Sequence, residues 1–171
     1  MDGPLSVSPT TADNALDAAA REAIELMFFA YRDFTDVADR ILEEHDLGRA
    51  HHRALYFVGT NDGITVGHLL EILNITKQSL ARVLRRLIDS GLIEQKVGAN
   101  DRRQRRLGLS EEGQRLLDEM IDAQRALLTR AFEGADSASL AGFRQVMLSI
   151  MTEEDRQRFE PSLTSISTQA A

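Results

Sequence analysis

Apolar residues step along the first third of the chain by threes and fours. Leu16, Ala20, Ala23, Met27, Ala30, Phe34, Val37 and Ile41 form one stripe, broadened by Ile24, Tyr31 and Ala38. This spacing predicts a single helix over 14–46, ended by Gly48. A helix of about 30 residues spans ~45 Å, more than the width of a small domain. Part of the stripe therefore needs a partner outside its own domain, and a second copy of the same helix is the most economical one.

Shorter elements follow. A helix is expected from Arg49 to Val58, with Ala50, Ala54, Leu55 and Val58 turned inward. Gly59-Thr60-Asn61-Asp62-Gly63 reads as a tight turn, without the flanking carboxylates of a calcium loop. Ile64 suits a very short strand, and Thr65 suits the N-cap of a helix over Val66–Leu73. Thr76 is a second N-cap, with Ile75 placed to staple against Leu80. In the helix it opens, Leu80, Val83, Leu84, Leu87 and Ile88 share one face. Gln78, Ala81, Arg82, Arg85 and Asp89 fall on the other, and Gly91 ends the helix.

Leu92–Val97 reads as a strand, Gly98–Asp101 as a turn and Arg103–Leu109 as a returning strand, with Arg106 facing away from Leu107 and Leu109. A long helix from Ser110 to about Glu133 and a last helix from about Ser137 to Met151 complete the order. Met147 and Met151 read as core filler, and Glu153-Glu154-Asp155 as a solvated helix end. Residues 1–13 and 159–171 read as disordered tails.

Composition narrows the class. At 43% hydrophobic and 27% charged residues, the chain can bury a core. With aromatics at 5% and no tryptophan, that core must be mostly aliphatic. Cysteine is absent, which excludes disulfides, thiolate chemistry and cysteine-held metal. No window approaches the ~20 apolar residues of a membrane helix, and the N-terminus lacks the pattern of a secretory signal. A cytoplasmic protein without a membrane partner is expected.

The net charge of −7 conceals a segregation. Between Thr76 and Leu109 lie Lys77, Arg82, Arg85, Arg86, Lys96, Arg102, Arg103, Arg105 and Arg106 against only Asp89, Glu94 and Asp101, leaving +6 in an acidic chain. Such a block suits a polyanion. A helix-turn-helix whose second helix presents Gln78, Arg82 and Arg85 offers the amide and guanidinium groups that pair with adenine and guanine edges. The cationic hairpin after it can follow phosphates or enter a minor groove, which makes the unit a winged helix.

At this point the chain resembles the MarR family of bacterial transcription regulators. The resemblance runs from Thr76-Lys77-Gln78-Ser79 through Arg82, Arg85 and Gly91 to Asp101, Arg103, Leu109, Ser110 and Gly113, with the helix order over about 14–151 in agreement. It implies a mainly α fold with a small β-hairpin wing. A winged helix-turn-helix domain over 47–109 would join a helical dimerisation region formed by 14–46 and 110–158.

The resemblance also implies a homodimer on pseudo-palindromic double-stranded promoter DNA, commonly acting as a repressor. Arg82 and Gln78 would read bases, and Lys77, Ser79 and Arg85 would share base and phosphate contacts. Arg86, Arg102 and Arg105 would add cationic contacts, and Arg103 would reach the minor groove with Asp101 orienting it. Many relatives release DNA when a small aromatic or phenolic ligand binds between the two regions, while the branch that senses oxidants through cysteine is closed here.

A corresponding cleft would draw on Tyr31, Arg32, His51, His52, Arg53 and Tyr56, for an aromatic or anionic effector; the two tyrosines also suit core or interface positions. His45, His51, His52 and His68 invite a metal-site reading, but without a placed carboxylate partner they read as ordinary surface or hinge histidines and no metal site is expected; a metal- or pH-responsive regulator is the alternative. No cofactor is expected. No phosphate loop, metal motif or nucleophile–base pair suggests an enzyme. A winged helix that binds protein and has lost DNA binding is the rival, and the retained cations weigh against it.

Overall fold

The structure is a computed structural model that describes residues 11–97 and 105–159. Its elements are α1 (Thr11–Glu43), α2 (Arg49–Gly59), β1 (Ile64–Thr65), α3 (Val66–Leu73), α4 (Lys77–Asp89), β2 (Ile93–Val97), β3 (Arg105–Leu109), α5 (Glu111–Phe132), α6 (Ser137–Ile150) and α7 (Glu153–Gln157). They form two compact units, one up to Ala126 and one from Leu127, with the boundary inside α5.

Helix α1 starts earlier and stops earlier than its stripe predicts. Asp46, not Gly48, ends it: Asp46 takes the left-handed conformation (φ 54°). The Asp46 N–H then donates to the Glu43 carbonyl at 3.2 Å and the Leu47 N–H to the Leu42 carbonyl at 3.0 Å. That is the paired closure usually made around a glycine, and aspartate is among the few other residues that tolerate it. Gly48 instead begins α2 in an extended conformation.

The first unit is built on an aliphatic core. Leu42, Leu55, Leu69, Leu80, Leu87, Leu107, Leu117 and Met120 are among its fully buried side chains. Ala50, expected inside, is exposed, because the face that α2 turns to the core carries His52, Ala54, Leu55 and Val58. The three strands pair antiparallel in the order β1–β3–β2, with Ile64 opposite Leu107 and Ile93 opposite Leu109. Thr65 caps α3 through the His68 N–H at 3.2 Å, as its sequence position predicts.

Two apolar surfaces stay uncovered. In α1 every described side chain from Asn14 to Asp33 is exposed, including Leu16 and Phe28 at 72% each. Packing begins only at Phe34, and Thr35, Ala38 and Leu42 are buried. In the second unit α6 buries none of its residues, and Phe143, Val146, Met147 and Ile150 stand exposed. Met147 is therefore surface, not core filler, in the single chain. The Glu153–Asp155 run is also not the end of α6: Thr152 caps a separate α7, its hydroxyl accepting the Asp155 N–H at 3.2 Å. Among the described residues no helix is long and apolar enough to cross a membrane.

Candidate nucleic-acid interface

Helix α4 is held on one side and open on the other. Leu80, Val83, Leu84 and Leu87 are buried, while Lys77, Gln78, Ser79, Ala81, Arg82, Arg85, Arg86 and Asp89 are exposed. Thr76 sets where the helix starts. Its Oγ1 accepts the Ser79 N–H at 3.2 Å and donates to Ser79 Oγ at 2.9 Å. At the other end Gly91 adopts φ 71°, and the Leu92 N–H donates to the Leu87 carbonyl at 2.9 Å. Leu92 and Ile93 then enter the core, so strand β2 leaves α4 in a fixed direction.

The wing strands carry the next cations. Lys96 lies directly opposite Arg106 and Val97 opposite Arg105. Like charges across a strand pair repel, and both Lys96 and Arg106 have an internal anchor: Lys96 Nζ lies 3.3 Å from Glu94 Oε2, and Arg106 Nη1 donates to the Gly63 carbonyl at 3.2 Å. Arg105 is exposed. Arg102, Arg103 and Asp101 lie outside the described residues, so the roles expected of them at the wing tip have no structural counterpart here. Arg86 sits at the edge of the exposed face of α4, its Nη2 donating to the His45 carbonyl at 3.4 Å.

A cavity of about 260 Å³ opens in the first unit. Four of the six residues expected in a ligand cleft line it: Tyr31, His52, Arg53 and Tyr56. Two do not. Arg32 is exposed, pairs with Asp33 at 2.8 Å and lies over the Phe29 ring. His51 turns the other way, its Nδ1 accepting the Gly48 N–H at 3.0 Å. Spacing misleads here because consecutive residues on a helix point about 100° apart.

Phe34, Thr35, Arg49, Phe57 and Gln124 complete the lining. Arg49 is discoverable from sequence, since it stands four residues before Arg53 and seven before Tyr56 on one helix face. Gln124 is not; it arrives from α5 and donates to the Phe34 carbonyl at 3.3 Å. Both guanidinium groups are already engaged, Arg49 with Asp39 Oδ2 at 2.6 Å and Arg53 with the Leu73 carbonyl at 3.1 Å.

Burial holds the His51 and His52 imidazoles below the ordinary histidine value, with Asp39 partly opposing this at His52 and Arg86 reinforcing it at His51. The unfolded chain, with ordinary histidines, then binds protons that the folded chain refuses. These groups cost nothing well above about pH 6.5 and destabilise the fold as the pH drops below it. Thermal melts at neutral and mildly acid pH should show this loss, and His52→Gln should reduce it. An equal loss in the variant would remove His52 as a cause.

Comparison with known proteins follows the same geometry. The MarR family profile matches residues 45–104, the stretch holding α2 to the wing. Over 144 residues the chain is 49% identical to the HTH-type transcriptional regulator PetP of Rhodobacter capsulatus, covering 84% of this chain and 87% of that protein. A crystal structure of a MarR family transcription regulator superposes with a TM-score of 0.72 at 21% identity, covering 91% of this chain and 99% of the other. A mutant of E. coli MarR, solved in complex with operator DNA, superposes at 0.61 with 18% identity, covering 75% of this chain and 92% of that one. With an amphipathic α4 followed by the β2–β3 wing, and with this identity to a curated regulator, the chain belongs to the MarR family of winged helix-turn-helix transcription regulators.

Proposed function

We propose that this regulator binds double-stranded DNA as a homodimer, each protomer placing α4 in the major groove and its wing against the adjacent backbone. The observation that carries the reading is the outward face of α4. Gln78, Arg82 and Arg85 project together from a helix anchored by four buried aliphatic residues, and among the described residues Arg82 and Arg85 make no hydrogen bond or ion pair. Solvated arginines without internal partners are ready for bases and phosphates. Lys77 and Ser79 flank them at the helix start, and Arg102, Arg103 and Arg105 supply the wing. The E. coli relative solved with operator DNA supports the same use of the fold.

The uncovered apolar faces of α1 and α6 support the homodimer, with 14–46 and 110–158 as its dimerisation region. Repression by occupying a pseudo-palindromic promoter site in the cytoplasm is the mechanism. A second reading concerns control: the cavity at Tyr31, His52, Arg53 and Tyr56 would admit a small aromatic effector that alters the spacing of the two α4 helices.

The test separates base reading from phosphate binding. Arg82→Ala should cost about 1–3 kcal/mol on the cognate site and relax discrimination at one base pair per half-site. Arg105→Ala should weaken cognate and scrambled duplexes alike, flattening the slope of log affinity against log salt by roughly 0.9 for each phosphate left unneutralised. A salt series on both duplexes reads both. Equal weakening by Arg82→Ala on the two duplexes would reduce Arg82 to a phosphate clamp.

A further inference from the structure

The cations of α4 fall into two sets. At about 100° per residue, Gln78, Arg82 and Arg85 lie within roughly 60° of one another. Arg86 stands about 100° from Arg85 and about 40° beyond Arg82, on the flank shared with Ser79 and bordering the buried Val83. From that flank its Nη2 reaches back to the His45 carbonyl at 3.4 Å. His45 belongs to the turn that closes α1, where its own N–H donates to the Leu42 carbonyl at 3.0 Å. Carbonyls at the end of a helix carry partial negative charge and are short of donors, so a guanidinium placed there satisfies both needs.

A second group marks the same junction. The half-buried His51 uses Nδ1 to accept the Gly48 N–H, fixing the first turn of α2. Arg86 is close enough to oppose a positive charge on that ring. Arg86 is therefore directed to the α1–α2 turn on two counts, while Arg82 and Arg85 are left to the outward face.

We propose that Arg86 is a positioning residue for DNA binding and not a DNA ligand: it fastens the recognition helix to the end of α1 through the His45 carbonyl. This rests on the DNA-binding reading above. The consequence is mechanical. Helix α1 carries the longest uncovered apolar surface among the described residues, and Arg86 joins its far end to the helix that reads bases. A shift of α1, whether from a partner or from a guest in the cavity that Tyr31 and Phe34 line, reaches α4 through this bond.

The test uses the full-length protein with Arg86→Met, which keeps the apolar stem and removes the charge. Cognate affinity should fall about five- to tenfold, the size of one ordinary hydrogen bond, as suits an exposed contact of this length, with the salt slope unchanged. A slope flattened by roughly 0.9 per protomer would make Arg86 a phosphate ligand and overturn the proposal. Unchanged affinity would overturn it as well.

A DNA-free measurement separates this from the reading it rests on. In an NMR titration the His51 imidazole should protonate at higher pH in Arg86→Met than in wild type, and at an unchanged pH in Arg85→Ala. If wild type binds no duplex, the DNA reading fails while this titration still reports the tether. If the His51 midpoint stays put in Arg86→Met, the tether is absent and the proposal falls.

Discussion

Gly113→Ala is expected to destabilise the first unit by about 3 kcal/mol, the upper range for forcing an extra carbon into a packed site. A Cβ built on Gly113 would stand 2.0 Å from the Leu92 carbonyl oxygen and 2.9 Å from its carbon. Both are backbone atoms, so no rotamer change can relieve the clash. That carbonyl is also where α5 is spliced to the end of α4. It accepts the Ser110 N–H at 3.1 Å and lies 3.3 Å from Ser110 Oγ, which in turn accepts the Gly113 N–H at 3.0 Å. Pushing Leu92 away would withdraw a buried side chain and loosen the closure that Gly91 makes at the end of α4.

A destabilisation of this size corresponds to a melting temperature lower by roughly 6–12 °C for a domain of this length. Gly142→Ala is the control. It lies inside α6 with nothing within 4 Å of its Cβ position, so alanine there should stabilise the helix by up to about 1 kcal/mol. Circular-dichroism melts of both variants decide the matter, and equal shifts would remove the Leu92 carbonyl as the reason for this glycine.

Gly113 also marks how far the sequence can be read. Its place after Asp101, Arg103, Leu109 and Ser110 belongs to the MarR resemblance, but the resemblance gives no reason for it; the reason is the carbonyl of Leu92, brought in from the end of α4. Elements fixed by local chemistry are legible. Thr65 and Thr76 cap the helices where their spacing predicts, α3 spans Val66–Leu73 as expected, and Gly91 ends α4 with a positive φ.

The departures come where another residue takes the same task or where distance hides the partner. Asp46 ends α1 in place of Gly48. Thr152 and Asp155 form a capping pair whose spacing is visible in the sequence, yet their acidic run resembles the tail of α6. Arg86 looks like one more cation in a basic run, because its carbonyl partner is 41 residues away. The outward face of α4, with Gln78, Arg82 and Arg85, needs only the 3.6-residue period, because the buried leucines fix which side is left.

Met27→Glu is expected to break the dimer and, with it, tight DNA binding. Met27 sits midway along the exposed stretch of α1, between Ile24 and Tyr31, and all three side chains are exposed in the single chain. A residue at a two-fold interface acts twice, once from each protomer. Two carboxylates would then enter an apolar seam, and each buried charge left unpaired costs several kcal/mol.

The fold of each protomer should survive, because α1 joins the core only from Phe34 onward, through Thr35, Ala38 and Leu42. Dissociation makes the melting temperature depend on concentration, so the separating measurement is mass in solution by sedimentation equilibrium. What should collapse is affinity for a two-half-site duplex. A dimer binds its second half-site at the effective concentration set by the first, an advantage of about 10²–10⁴. Affinity for a single half-site should be nearly unchanged, since α4 and the wing are untouched. Arg21→Ala, which removes only an exposed pair with Asp17, should leave both mass and affinity as in wild type. If Met27→Glu stays dimeric and binds the full site normally, the stripe of α1 is not the dimer seam, and the helix must be covered by something other than its own copy.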